Sequence, residues 1–213
     1  MSLPKQRNYE YAFHLAYGVA RERLAKLEDI EGQCLRSGAR YQMVDSRRVV
    51  VLDYLNQSYQ IDLPGVEVSK VGGEGEVPIK VKLLILHYFI LAQGIPLSGN
   101  IITYKELPEG LVYFPTFAKR AVKPLLDHFG KEPQRLVDVA AKLGGRKADC
   151  GDVAVTINAF KYVPLTLVLW RGDEEFAPSA SILFDNTIRD YISTEDVTVL
   201  CETIAWSLVR LQG

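Results

Sequence analysis

Hydrophobic side chains recur along the first part of this chain at helical spacing. Tyr9, Phe13, Ala16, Tyr17, Ala20, Leu24 and Leu27 fall three or four residues apart, which predicts an amphipathic helix over about 4–27. The pattern then shortens to strand-like runs at 41–44, 47–54 and 57–63. They are separated by Asp45-Ser46 and Asn56-Gln57, residue pairs typical of hairpin connections, so the three runs read as an antiparallel meander. Pro64-Gly65 stops it, and 71–76, with Gly72, Gly73 and Gly75, is the least structured stretch.

Pro78 suits the first turn of a second helix that ends near Gly94. The second half of that helix is apolar on nearly every side, which predicts a buried, central position. A short strand is expected at 101–104, then helices at 115–129, bent at Pro124, and at 133–143. Runs at 153–157, 163–170 and 181–184 read as strands, the last two forming a hairpin. A final helix starts at Ser193 as its cap, with Glu195 and Asp196 in the first turn, where free N–H groups favour negative charge. This order predicts an α+β fold, an antiparallel meander and hairpin strands packed with about five helices. No repeat or linker divides it, so one domain over 1–213 is expected, or two tightly packed lobes with a boundary near 65–77.

Composition narrows the function. With 213 residues, 48% hydrophobic and 24% charged, the chain is long enough to bury a full core. Its 25 basic and 26 acidic residues give a net charge of -1, so no long-range field gathers polyanions. Arg47-Arg48, Lys119-Arg120 and Arg146-Lys147 are isolated pairs without interleaved aromatics, and nucleic acid is not an expected partner. The start lacks the apolar segment of a secretory signal, and the longest apolar run, 83–92, is about half of the roughly 20 residues a membrane span needs. No membrane association and a cytoplasmic location are therefore expected. Three scattered cysteines, Cys34, Cys150 and Cys201, without a C-x-x-C pair, predict reduced thiols and no metal site.

The usual catalytic motifs are missing. Neither Gly72-Gly73-Glu74-Gly75 nor Gly144-Gly145-Arg146-Lys147 has the strand and helix context of a phosphate loop, and Glu74 and Glu76 would repel a phosphate. His14, His87 and His128 share no metal-ligand spacing. They read as an exposed residue, a core residue and a cation near a helix C-terminus. His128 would matter only beside Cys150, as a base activating a thiol. No G-x-S-x-G elbow is present.

The remaining candidate is an acidic rim in VPLTLVLWRGDEEFAPSASILFD, 163–185. Asp173, Glu174 and Glu175 fall in the connection of the hairpin and Asp185 ends its second strand. Paired carboxylates a few ångströms apart split their pKa values and supply an acid and a base, or share a divalent cation. Asp173, Glu175 and Asp185 are thus the candidate catalytic residues, while Trp170, Arg171, Glu174 and Phe176 are the candidate binding residues. The competing reading is structural: the acids keep a hairpin tip soluble, Trp170 and Phe176 belong to the core, and Asp185 caps a turn with Asn186 and Thr187.

The segments LHYFILAQGIPLSGNIITYKELPEGLVYFPTFAKR, 86–120, and 163–185 resemble a domain-of-unknown-function family found mainly in anaerobic bacteria and archaea. The resemblance covers nearly the whole chain. It is carried by G-x-P-L-x-G at 94–99, E-L-P-x-G at 106–110 and W-x-G-D-x-E-F at 170–176. It implies no reaction and no catalytic residues. Some relatives carry an added iron–sulfur module, which associates the family with low-potential redox or corrinoid-linked one-carbon metabolism. This chain's three cysteines cannot ligate such a cluster. Two functions follow as expectations. One is a binding or accessory protein of that metabolism, recognising a protein partner or a small cofactor of unknown identity through 170–176 and the E-L-P-x-G segment. The alternative is a small hydrolase or lyase using the carboxylates, with two of them within about 5 Å.

Overall fold

A computed structural model of the chain describes residues 5–73 and 75–212, and side chains from Glu10 onward. Pro4, Glu74 and the side chain of Tyr9, all used in the sequence reading, lie outside the described residues. The fold is α+β with two antiparallel sheets, and the chain divides into two compact units, 1–95 and 96–213.

The first unit begins with α1 (Lys5–Ala25) and α2 (Ile30–Ser37). The latter occupies a stretch, between the 4–27 helix and the 41–44 strand, for which the hydrophobic pattern predicted no element. Its ends are nonetheless encoded: the Asp29 carboxylate accepts the Gly32 N–H at 2.8 Å, and Gly38, at φ 70°, closes the helix in the left-handed conformation. A four-stranded sheet follows in sequential order, β1 (Arg40–Val44), β2 (Arg47–Tyr54), β3 (Gln57–Leu63) and β4 (Glu67–Lys70). Asp45-Ser46 makes the first tight turn, as expected. The second turns on Leu55-Asn56, one residue earlier than the sequence suggested, with both residues at positive φ.

Helix α3 (Ile79–Leu91) is the apolar helix of the sequence reading. Leu83, Leu84, Ile85 and Leu86 are all buried, so consecutive residues covering every side are shielded. Its last carbonyls are met by α2: the buried Gln33 amide donates to Phe89 O at 2.5 Å and Ala92 O at 3.0 Å. Tyr88 reciprocates, donating its hydroxyl to Ser37 O at 2.7 Å.

The second unit is a five-stranded sheet with helices. Its strands are β5 (Ile101–Thr103), β6 (Arg146–Ala148), β7 (Val153–Phe160), β8 (Val163–Trp170) and β9 (Ser179–Asp185), in spatial order β5-β9-β8-β7-β6. Register places Val155 and Ile157 beside Leu167 and Leu165, and these beside Ile182 and Phe184, giving one continuous apolar face. The opposite face carries Thr156 and Thr166, whose hydroxyls bond at 2.8 Å.

Helices α4 (Gly110–Phe117), α5 (Lys123–Phe129), α6 (Gln134–Ala141) and α7 (Thr194–Gln212) complete the unit. The single helix expected at 115–129 instead starts at Gly110 and is interrupted by a π-helical stretch, Ala118–Val122. Pro124 has no N–H to give to a regular helix, and the wider π turn falls immediately before it. Ser193 caps α7 as expected, accepting the Asp196 N–H at 3.1 Å while donating to the Asp196 carboxylate at 2.7 Å.

Phe117 ties α4 to the sheet. It is 1% exposed, stacks on Tyr104 with ring centroids 3.9 Å apart, and meets Phe184 edge-on. Phe117→Ala is expected to cost about 3–5 kcal/mol. Urea unfolding will show this as a lower midpoint with an unchanged slope.

Candidate functional site

The two halves of the acidic rim are built differently. Asp185 ends β9 next to β5, with which it pairs through Ile101. Its side chain is buried, and five donors converge on it. Oδ1 accepts from the Ser98 N–H at 3.1 Å, the Ser98 hydroxyl at 2.9 Å, the Thr187 N–H at 3.0 Å and the Thr187 hydroxyl at 2.8 Å. Oδ2 accepts from the Gly99 N–H at 2.7 Å, which is turned to it by a φ of 75° that glycine adopts without strain. Burial pushes this pKa up, but the bonds from Thr187 and Ser98 outweigh it and hold the carboxyl at about 2. A group with that pKa, four donors on one oxygen and one on the other, is an ionised structural anchor. It pins the G-x-P-L-x-G turn and starts the 3-10 turn Asn186–Asp190.

At the other end of β9, the β8–β9 connection is a fixed turn on the surface. Asp173 Oδ1 accepts the Glu175 N–H at 2.9 Å and the Phe176 N–H at 2.7 Å, and the Asp173 N–H donates to Phe176 O at 2.9 Å. These bonds, first from Phe176 and then from Glu175, lower the Asp173 pKa. Gly172 permits the closure, because a Cβ there would stand 2.6 Å from Pro178 Cδ and 2.8 Å from Phe176 O. The β6–β7 connection lies at the same end: the Asp152 carboxylate accepts the Arg171 N–H at 2.7 Å, and Gly151 sits against the Trp170 indole. Over 149–152 and 171–176, Asp149, Asp152, Asp173, Glu174 and Glu175 face one basic residue, Arg171. Phe176 is 67% exposed and Trp170 39% exposed among them.

The candidate carboxylates therefore do not form one site. Asp185 and the 171–178 connection are separated by the six residue steps of β9, roughly 20 Å of extended strand. Asp173 Oδ1 is committed to its own turn and Asp185 to five donors. The candidate binding residues are brought together, Trp170 at the end of β8 and Arg171, Glu174 and Phe176 on the loop that follows, all exposed. Of the E-L-P-x-G segment, Glu106 accepts the Thr103 N–H at 2.7 Å and the Thr103 hydroxyl at 2.9 Å, and Glu109 turns the chain into α4.

The family model for a domain of unknown function, DUF3786, matches residues 29–206. The chain belongs to this family. No curated protein and no solved structure matches it. The matched span of the DUF3786 chain takes in Asp185, the 171–178 turn and α4, and leaves out α1.

Sequence reasoning missed an open groove in the first unit. About 660 Å³ is lined by Glu10, Phe13, His14, Val77, Pro78 and Lys80, next to a smaller hollow reaching Tyr17 and Arg21. Its cations are already engaged: Lys80 lies over the Phe13 ring, Lys82 pairs with Glu67, and Arg21 donates to Gly65 O at 2.6 Å. Among the described residues no cluster of His, Cys, Asp and Glu could hold a metal ion, and no helix is long and apolar enough to cross a membrane. Burial pushes the Cys34 thiol up to about 11, with Glu31 adding to it, and pushes Cys201 up as well, so neither is a nucleophile at neutral pH.

The Asp185 anchor makes stability depend on pH. The folded pKa, about 2, lies below the ordinary value of 3.8, so its contribution is full above pH 5 and is lost as pH falls toward 2. Asp185→Asn keeps the shape but aims an amide donor at the Gly99 or Ser98 donors. It is expected to cost about 2–4 kcal/mol at pH 7. In urea unfolding, the gap between wild type and variant should narrow as pH is lowered from 5 to 3.

Proposed function

We propose that this protein is a binding protein that recognises a positively charged segment of a partner protein through the loops 149–152 and 171–178. The observation that carries this reading is Phe176, exposed on a turn closed by Asp173 in a loop rich in acidic residues. An exposed aromatic on a rigid turn loses little entropy on binding, and its acidic rim steers a basic partner and fixes its register. The chain as a whole is nearly neutral, so this local excess of negative charge marks one end of the sheet. In this reading the protein is an accessory component. Its placement in anaerobic redox or corrinoid-linked one-carbon metabolism rests on the resemblance of its two specific segments alone.

The test uses Trp170 as a reporter. The chain has two tryptophans, so Trp206→Phe leaves Trp170 as the only one. Titration with a peptide of alternating Lys and Leu should give a saturable change in Trp170 emission that weakens with salt. Phe176→Ala, or Glu174→Lys with Glu175→Lys, should weaken binding by about tenfold or more. Equal binding by wild type and these variants would remove the proposal. Gly172→Ala provides an independent check, since its Cβ collides with the turn and not with the core. It should lower affinity similarly while leaving the unfolding free energy within about 1 kcal/mol of wild type.

A further inference from the structure

Helix α4 is out of place on a surface. It reads GLVYFPTF and carries no charge, yet of its eight residues only Gly110 and Phe117 are buried. Leu111 is 70% exposed, Val112 77% and Tyr113 53%. A helix that is apolar on all sides belongs inside a core or an interface. Leu97, on the segment that leads to it, is exposed too. Together these four side chains leave roughly 400 Å² of apolar surface open, about half of the roughly 800 Å² that one partner buries in a stable interface.

We propose that α4 is covered by α4 of a second copy of this chain, the two helices running antiparallel about a two-fold axis near Phe114. The charges at the helix ends select this occupant. Glu109 stands at the N-terminal end and Lys119 just past the C-terminal end, with no charged residue between them. The neighbouring charges are committed elsewhere: Lys105 to the Phe114 ring, 4.3 Å from its centroid, Glu106 to Thr103, Arg120 to Glu202 at 2.7 Å and Lys123 to Asp127 at 2.7 Å. Because 109 and 119 lie equally far from 114, the antiparallel pairing sets Glu109 of each copy opposite Lys119 of the other. It also aligns the helix dipoles head to tail. A uniformly acidic or basic partner would match one end of α4 and clash with the other, whereas the chain's own surface matches both. A net charge of -1 leaves two copies with little mutual repulsion.

Analytical ultracentrifugation of the full chain tests this. Wild type should sediment at twice the monomer mass at tens of micromolar, and Val112→Glu should weaken association at least about 100-fold while the circular dichroism spectrum is kept. The charge variants lie outside the core and remain informative even if Val112→Glu fails to fold. Glu109→Lys and Lys119→Glu should each weaken the dimer by about tenfold, and the double swap should restore it. A wild-type chain that stays monomeric at roughly 100 µM overturns the proposal, as does a double swap as weak as either single change. The hairpin-tip variants Phe176→Ala and Glu174→Lys should leave the mass unchanged.

Discussion

A single buried carboxylate sets the geometry of the second unit. Asp185 gathers donors from Ser98, Gly99 and Thr187, the first of them 87 positions away, and so fixes the entry turn, the edge strand β5 and the turn after β9 with one side chain. An ionised group out of water is tolerable only when donors replace its hydration, and here five do. With β5 placed, Tyr104 and Phe117 stack, and Phe117 meets Phe184, the residue before Asp185. The order of α4 thus follows from the anchor.

Chemistry divides the surface of this unit into two kinds. The loops at the start of β9 combine aromatic rings with an excess of carboxylates, a composition suited to a partner of opposite charge met in a reversible encounter. Helix α4 combines bare apolar area with one charge of each sign at its ends, a composition nearer to that of subunit interfaces.

Much of this was legible in the sequence because periodicity reports burial. The meander, the all-round apolar α3, the β8–β9 hairpin and the Ser193 cap each follow from local patterns that the tertiary structure keeps. The carboxylate cluster was misleading for a definite reason. Asp173 and Asp185 are twelve residues apart, but most of the interval is extended strand, so sequence proximity becomes spatial separation. The long-range role of Asp185 was not readable, because its donors at 98 and 99 are brought to it only by the pairing of β5 with β9. The helix α4 was read as starting at Pro115, since proline marks helix starts more often than interiors. Here the π turn that follows absorbs the irregularity.

The claim that matters most is that Asp185 is a permanently ionised anchor. Carbon-detected NMR of its carboxyl carbon through an acid titration measures that directly. The account predicts a carboxylate shift that shows no protonation above about pH 3. A midpoint at or above about 4, the range of an ordinary or raised aspartic acid, would contradict it.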